Sequence, residues 1–487
     1  MYGYARGGIS QVIEGVKGHP SESELRALRT AKVASLFAAD IGGFGFKPSL
    51  LADALAGLRC HLTTSVRGYL RSFNGEQSST DFVTCLKLIH LLFRTSVQAV
   101  DEELVTIKDI VRESIRNQIR DPSAEYLRRL KDINYGKSFY FKPWTIPDFD
   151  SIDAKEACEF FTKCFHNPGE FTLVVVGDIG EISGADTDES FLNMLETYLG
   201  SIKVKEGSSN LPLDVDKLVP IPFSQPDEVV NEVVKASMVD AMSETQVTIP
   251  ITINPFPLEA AREKSFWIGF CCSLLSNRLM HEIRFARGKI YAISAFPSFA
   301  LQCPNFGSGV ARGDVSITFS CEPGEAESIK ELVLNQMKDL TTNPASQEEV
   351  DSLLEMERKS YEVSLEENSF WLDALVTACQ SRKYRQTGNL DDAYLFNERI
   401  REKVLKEMTP ETMQSHFKHF FAGEGTFTYT AITLEPEASL ASRCLSALQD
   451  WMPQNALTMQ NKMVLLYGSL AAATLGASIM YYTRRLK

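Results

Sequence analysis

Three phenylalanines set the main constraint on this fold. Phe161, Phe165 and Phe171 are matched by Phe417, Phe421 and Phe427, each 256 residues further along. Ile152 meets Met408 at the same offset, and an offset of 246 aligns Phe73 with Phe319, Glu103-Leu104 with Glu349-Val350 and Ile107 with Leu353. A longer loop of about ten residues reconciles the two offsets, and loop closure makes such an insertion cheap. A chain that repeats in this way is built from two copies of one structural unit. Its 487 residues suffice for both.

Each copy reads as an α+β unit of about 200 residues. In the first, Ser21 to Glu24 fits a capping box, and Leu25, Leu28, Leu36 and Phe37 form the apolar face of a helix that ends at Gly42-Gly43. A second helix begins after Pro48, with Leu50, Leu51, Leu55 and Leu58 inward. Residues 63–74 read as one strand. Phe82, Leu86, Ile89 and Phe93 mark the next helix, and Leu104, Ile107, Val111, Ile115 and Ile119 line a long one that Asp121-Pro122 stops. Ile152 to Phe165 is helical, and Phe171 to Val176 is a buried strand. The second copy has a strand-like run, Gln246 to Ile253, before its first helix. The first copy starts almost directly at helix, which reads as a unit clipped at its N-terminal edge.

The spacing gives an organisation of five parts: a unit over 1–205, a Ser-, Pro- and Asp-rich linker over 206–227, a second unit over 228–436, a linker over 437–462, and a hydrophobic segment over 463–482. That last run is 20 uncharged residues followed by Thr483-Arg484-Arg485-Leu486-Lys487. Twenty helical residues span a bilayer core. The expectation is a C-terminal membrane anchor with the globular part cytosolic, on an organelle outer membrane or envelope. The alternative is a soluble chain whose tail does not insert.

Composition excludes some chemistry. The net charge of −13, with no basic cluster in the globular part, argues against nucleic-acid binding. The ten cysteines show no C-x-x-C spacing and read as free thiols. Neither H-x-x-E-H nor H-E-x-x-H occurs among the seven histidines, no G-x-S-x-G is present, and VVVGDIG lacks the third glycine of a dinucleotide fingerprint. His416 and His419 share a helix face, but no carboxylate set stands beside them.

The most informative stretch is SLLSNRLMHEIRFARGKIYAISA, Ser273 to Ala295. Cys271, Leu275, Leu279 and Ile283 recur every four residues, Arg287-Gly288 suits a helix C-terminus, and a short strand follows. Arg284 and Tyr291, separated by six residues, are on residue type alone a late-helix cation and a half-buried strand phenol. Arg278, on the same helix, reads as a structural ion-pair member.

The helix–turn–strand with this Arg and Tyr resembles the last domain of the M16 zinc metallopeptidases, the insulinase/pitrilysin family, and the resemblance extends over about residues 1 to 436. It implies two tandem units of the M16, LuxS-like metallohydrolase type, each an antiparallel sheet packed by helices, corresponding to the non-zinc C-terminal half. It also implies that Arg284 and Tyr291 are substrate-binding, holding the backbone of the peptide being cut and polarising its scissile carbonyl. The family uses zinc, but its ligand motif is absent here, so no catalytic or metal-binding residue is assigned to this chain. The expected partners are a peptide or protein substrate and a zinc-bearing N-terminal half, in cis or in trans, with the membrane reached through 463–482. Alone, such a chain is expected to cut nothing. Two other readings stand beside it: a membrane-anchored scaffold or peptide-binding subunit, and an unrelated hydrolase built on His416 and His419.

Overall fold

The computed structural model describes residues 1–12, 20–98, 101–185, 187–204, 217–238, 242–254, 256–285, 290–298, 311–422 and 428–437. The first unit runs β1 (Tyr2–Arg6), α1 (Glu22–Ile41), α2 (Pro48–Ala54), β2 (Cys60–Val66), β3 (Leu70–Gln77), α3 (Phe82–Arg94) and α4 (Asp101–Arg120). It continues through α5 (Ala124–Asn134), α6 (Ile146–Asp150), α7 (Ala154–Cys164), β4 (Thr172–Val174) and α8 (Asp188–Leu195). The second unit holds β5 (Val230–Ala236), β6 (Ser243–Ile253), α9 (Leu258–Leu279), β7 (Ile290–Ser298), β8 (Ala311–Cys321), α10 (Ala326–Thr342) and α11 (Gln347–Ser364). It closes with α12 (Asn368–Gln380), α13 (Arg382–Thr387), α14 (Leu390–Glu407), α15 (Pro410–Phe421) and β9 (Thr430–Pro436).

The two sheets share one topology. The first has the order β2-β3-β1-β4, and the second repeats it as β7-β8-β6-β9, with β5 added outside β9. All pairings are antiparallel except β5 with β9, which is parallel over seven residues from Val230↔Thr430 to Ala236↔Pro436. Phe161 and Phe165 stand at the end of α7, and Phe417 and Phe421 at the end of α15, all four buried in their own cores. Leu104 and Ile107 on α4 match Val350 and Leu353 on α11. Phe427 lies outside the described residues.

Local signals placed the helices well. Ser21 and Glu24 cap α1 reciprocally, and Gly42 ends it at φ 132°. At this angle a side chain is strained, and a Cβ would also stand 2.1 Å from the Phe46 carbonyl oxygen. The structure corrects four readings. Residues 63–74 are not one strand but most of the β2–β3 hairpin, turned at Arg67 to Tyr69, where Arg67 N–H donates to Leu70 O at 2.8 Å. The first unit does not open at helix. Tyr2–Arg6 is a central strand, and Gly3 belongs there because a Cβ would meet the Phe73 ring at 2.0 Å. Leu50 and Leu58 point outward, at 57% and 41% exposure, while Leu51 and Leu55 pack on the core. Leu36 and Ile119 are exposed as well.

Each unit reaches over the other's sheet. From α5, Tyr126, Leu130 and Ile133 pack on Val234, Ile432 and Leu434 of the second sheet. Asn134, at the end of α5, donates to Thr248 Oγ1 at 3.1 Å and accepts from Thr430 Oγ1 at 2.6 Å. Arg129 forks onto both carboxylate oxygens of Glu232. In return α12 lies against β4, and Arg6 from β1 donates to Gln380 O at 2.7 Å.

The expected membrane segment 463–482 lies outside the described residues. Among those described, no helix is long and apolar enough to cross a membrane.

The paired phenylalanines give a direct test of the duplication. Phe161→Ala and Phe417→Ala should each cost about 3–5 kcal/mol. Since the two sit in separate cores, their losses should add within about 0.5 kcal/mol in denaturant titrations of the double variant.

Candidate functional site

The Arg284–Tyr291 corner joins two local irregularities. Between α9 and β7, Met280–Phe285 forms a π-helical turn. Single π-helical turns are rare in helices and recur at functional positions. Arg284 falls in that turn; its side chain is outside the described residues. Its neighbour Ile283 is buried in the core, so the turn is anchored.

The second irregularity is in β7. Ile290 pairs with Cys321, and Ala292 pairs with the very next residue, Ser320, so Tyr291 has no residue opposite it. Such a bulge breaks the alternation of faces and re-aims a side chain. Tyr291 and Ala292 are accordingly both exposed, and burial on alternate residues resumes at Ile293 and Ala295. Tyr291 is 54% exposed, a large value for a phenol in a strand, and this corrects the half-buried position expected for a strand tyrosine. Sequence periodicity could not reveal the bulge, because one extra residue is invisible in a stretch this short.

Two braces fix the corner. Ser276 Oγ on α9 accepts from Ala295 N–H at 2.7 Å and donates to Ala295 O at 3.2 Å, which ties the helix to the strand. One turn of α9 away from the corner, Arg278 binds both oxygens of Glu349 at 2.7 Å and Asp339 at 3.0 Å. Its side chain is only 11% exposed, so the structural ion pair read from sequence is present. Glu349 also accepts the Ser346 N–H at 2.8 Å and thereby caps α11. The Arg278 guanidinium holds the Glu349 carboxyl below its ordinary value of 4.5, with the Ser346 hydrogen bonds adding to the effect against some desolvation.

The histidine pair has a different role. The His416 ring stacks on Trp267 at 4.0 Å and 17° and also stacks with Phe420 at 5.7 Å. Burial, then the neighbouring His419, pushes its pKa below the usual imidazole value. Among the described residues, no group of three or more His, Cys, Asp or Glu side chains could hold a metal ion. The described residues do not fit a zinc site, and the reading of His416 and His419 as the core of a hydrolase loses its support. Eight cysteines are described and all are free. Burial raises Cys85, Cys164 and Cys272 to about 12, which makes them packing residues and not nucleophiles.

Residues 151–356 match the family model of the peptidase M16 inactive domain. This span of the chain is similar to an M16 inactive domain. The match begins near α7, crosses the linker and ends within α11, so it takes in both the π-helical turn and the bulge. The M16 resemblance also appears in a curated relative, the zinc protease PQQL-like of Arabidopsis thaliana, 29% identical over 437 residues. The alignment covers 90% of this chain and 41% of that protein. Among solved structures, the periplasmic protease PqqL from Escherichia coli superposes with a TM-score of 0.62 at 15% identity, covering 90% of this chain and 42% of that one. This chain therefore spans about two fifths of the length of both. The first half of the same PqqL matches with a TM-score of 0.61 at 10% identity, over 94% of this chain and 92% of that one. At these identities the M16 likeness to PqqL shows the fold, and it is a fold that both halves share.

Glu349→Gln tests the α9–α11 brace. It should cost about 1–2 kcal/mol at pH 7, a partly exposed pair being screened by solvent. A carboxylate with a depressed folded pKa contributes stability above its unfolded pKa of about 4.3 and loses it as pH falls through the folded value. The difference between variant and parent should therefore shrink steadily below pH 4 in equilibrium melts.

Proposed function

We propose that this chain is the non-zinc half of an M16-like zinc metalloendopeptidase. It holds a peptide substrate by its backbone and polarises the scissile carbonyl for a zinc site carried by another half, in cis or in trans. The observation that carries the reading is the pairing of the π-helical turn at Arg284 with the bulge that exposes Tyr291, inside a span that matches the M16 inactive domain. The name zinc protease of the Arabidopsis relative supports the reaction class, and the solved ferredoxin protease FusC in complex with Arabidopsis ferredoxin supports a polypeptide substrate.

The chemistry assigned to each residue follows from its donors. An arginine presents a planar fork of N–H groups that is always charged, and it can donate to one peptide carbonyl without a proton being transferred. A phenol donates one hydrogen bond, which strengthens as the carbonyl oxygen gains negative charge in the tetrahedral state. Neither group activates water. Activation of water would be supplied by the zinc site of the other half, and on this reading the chain by itself cleaves nothing.

Reconstitution with a zinc-bearing M16 half tests this. Arg284→Ala should lower kcat/KM on the order of 10²-fold, and Tyr291→Phe should lower kcat by a similar factor with little change in KM. Both variants should fold and associate as the parent does by size-exclusion chromatography. Peptide cleavage by the purified chain alone, with stoichiometric zinc, would refute the assignment.

A further inference from the structure

The outward face of the second sheet holds a carboxylate that no described cation answers. Along β8, Val315, Ile317 and Phe319 point into the core, so Asp314, Ser316 and Thr318 point the other way. Asp314 is part-buried there. Its Oδ1 accepts from Ser316 Oγ at 3.0 Å; among the described residues Oδ2 accepts no hydrogen bond, and neither oxygen has an ion-pair partner. Burial lifts the carboxyl above its ordinary value of 3.8, against the pull of the Ser316 hydroxyl. A carboxylate held in this way is costly to ionise until a cation is brought to it.

The position is fixed by a chain of hydrogen bonds that crosses between the units. Ser316 Oγ accepts from Gln246 Nε2 at 3.1 Å, Gln246 also donates to Thr248 Oγ1 at 3.0 Å, and Asn134 of the first unit donates to that same hydroxyl at 3.1 Å. From the linker, Gln225 donates to Gly313 O at 2.5 Å. Aromatic rings stand on two sides. Phe296 of β7 pairs directly with Ser316, so it is the diagonal neighbour of Asp314, about 7–8 Å away and within reach of a common ligand. It is 45% exposed. Tyr135, just past α5, is near enough for the Asp314 charge to help raise its pKa, and its ring is held by Phe141 at 4.1 Å and Phe223 at 5.6 Å.

A carboxylate beside aromatic faces recognises a cation twice over, by charge-assisted hydrogen bonds and by the attraction of the rings for positive charge. Arginine meets both demands together, because its guanidinium donates in its plane and stacks through its face. We propose that Asp314 and Phe296, with Tyr135 on the first-unit side, form a pocket for an arginine side chain of a polypeptide lying on the outward face of the second sheet. The hydroxyls of Ser294 and Thr318, 3.1 Å apart on that face, offer hydrogen bonds to its backbone. That this polypeptide is the one held at Tyr291 rests on the function proposed above; the pocket itself does not.

Fluorescence anisotropy on the full chain tests the pocket. The labelled peptide GGGGRGGGG should bind about tenfold or more tighter than the same peptide with citrulline, which keeps the shape of arginine and lacks its charge. Asp314→Asn, which preserves an acceptor for Ser316, should bring that ratio below about threefold with an unchanged circular dichroism spectrum. Phe296→Ala, at an exposed position, should weaken the arginine peptide about three- to fivefold and leave the citrulline peptide almost unaffected. Nα-acetylargininamide should bind about fivefold or more weakly than the arginine peptide, and equal binding would assign the pocket to a small cation and overturn the polypeptide. Equal binding of the arginine and citrulline peptides would mean that the carboxylate is already neutralised within the chain, Arg312 two positions away on β8 being the nearest cation in sequence, and would overturn the proposal. So would a ratio that survives Asp314→Asn. Should that variant not fold, Phe296→Ala and the citrulline control decide. No hydrolysis is measured, so a negative result leaves the roles of Arg284 and Tyr291 untouched, and a failure of those roles leaves the pocket.

Discussion

A β-sheet that buries side chains on both faces needs cover on both, and here each unit supplies part of the other's. The apolar stripe of α5 closes over β5 and β9, while α12 returns from the second unit to lie against β4. Asn134 makes this contact specific, because it donates to one buried threonine of the second sheet and accepts from another. Buried polar groups of this kind tolerate little displacement, since an unmatched one loses its hydrogen bond without regaining water. The two copies are thus held in one arrangement. The β7 corner is in turn fixed relative to the whole chain and not only to its own helix.

Much of this was legible in the residues. The capping pair Ser21 and Glu24, the 3.6-residue stripes of α3 and α4, and the stop at Asp121-Pro122 are local signals, and local signals survive into the fold. The repeated phenylalanines encode a relation between distant segments, which is why the duplication could be read before any coordinate. What escaped was either short or dependent on tertiary context. YGYAR is too brief and too mixed to announce a central strand. The lone Gly68 did not mark a turn between two runs that both favour strand. The outward Leu50 of α2 followed from a helix only seven residues long, which has too little face to settle its own orientation.

The candidate site was legible as a motif but not as a geometry. Sequence supplied Arg284, Tyr291 and the six residues between them, and it identified Arg278 as the structural partner. It gave no sign of the π-helical turn or of the bulge, because both depend on one residue being accommodated out of register. Nor does the fold distinguish the two halves of an M16 protein, since the first half of PqqL superposes nearly as well as the whole. The distinction comes from residue chemistry: H-x-x-E-H is missing from the sequence, and the one close pair of histidines is stacked among Trp267 and Phe420.

The bulge puts two residues, Tyr291 and Ala292, between the buried Ile290 and Ile293 where regular alternation would put one, and that parity has an evolutionary reading. Loss of any single residue between Ile290 and Ile293 would restore an unbroken ladder with β8, and the strand would gain regularity at the expense of the outward-facing phenol. Point substitutions can drift here, whereas length cannot. On the peptide-holding role proposed for Tyr291, homologues that keep that role should hold the number of residues in this segment constant even where its letters change, and lineages without it should be the ones in which the count slips.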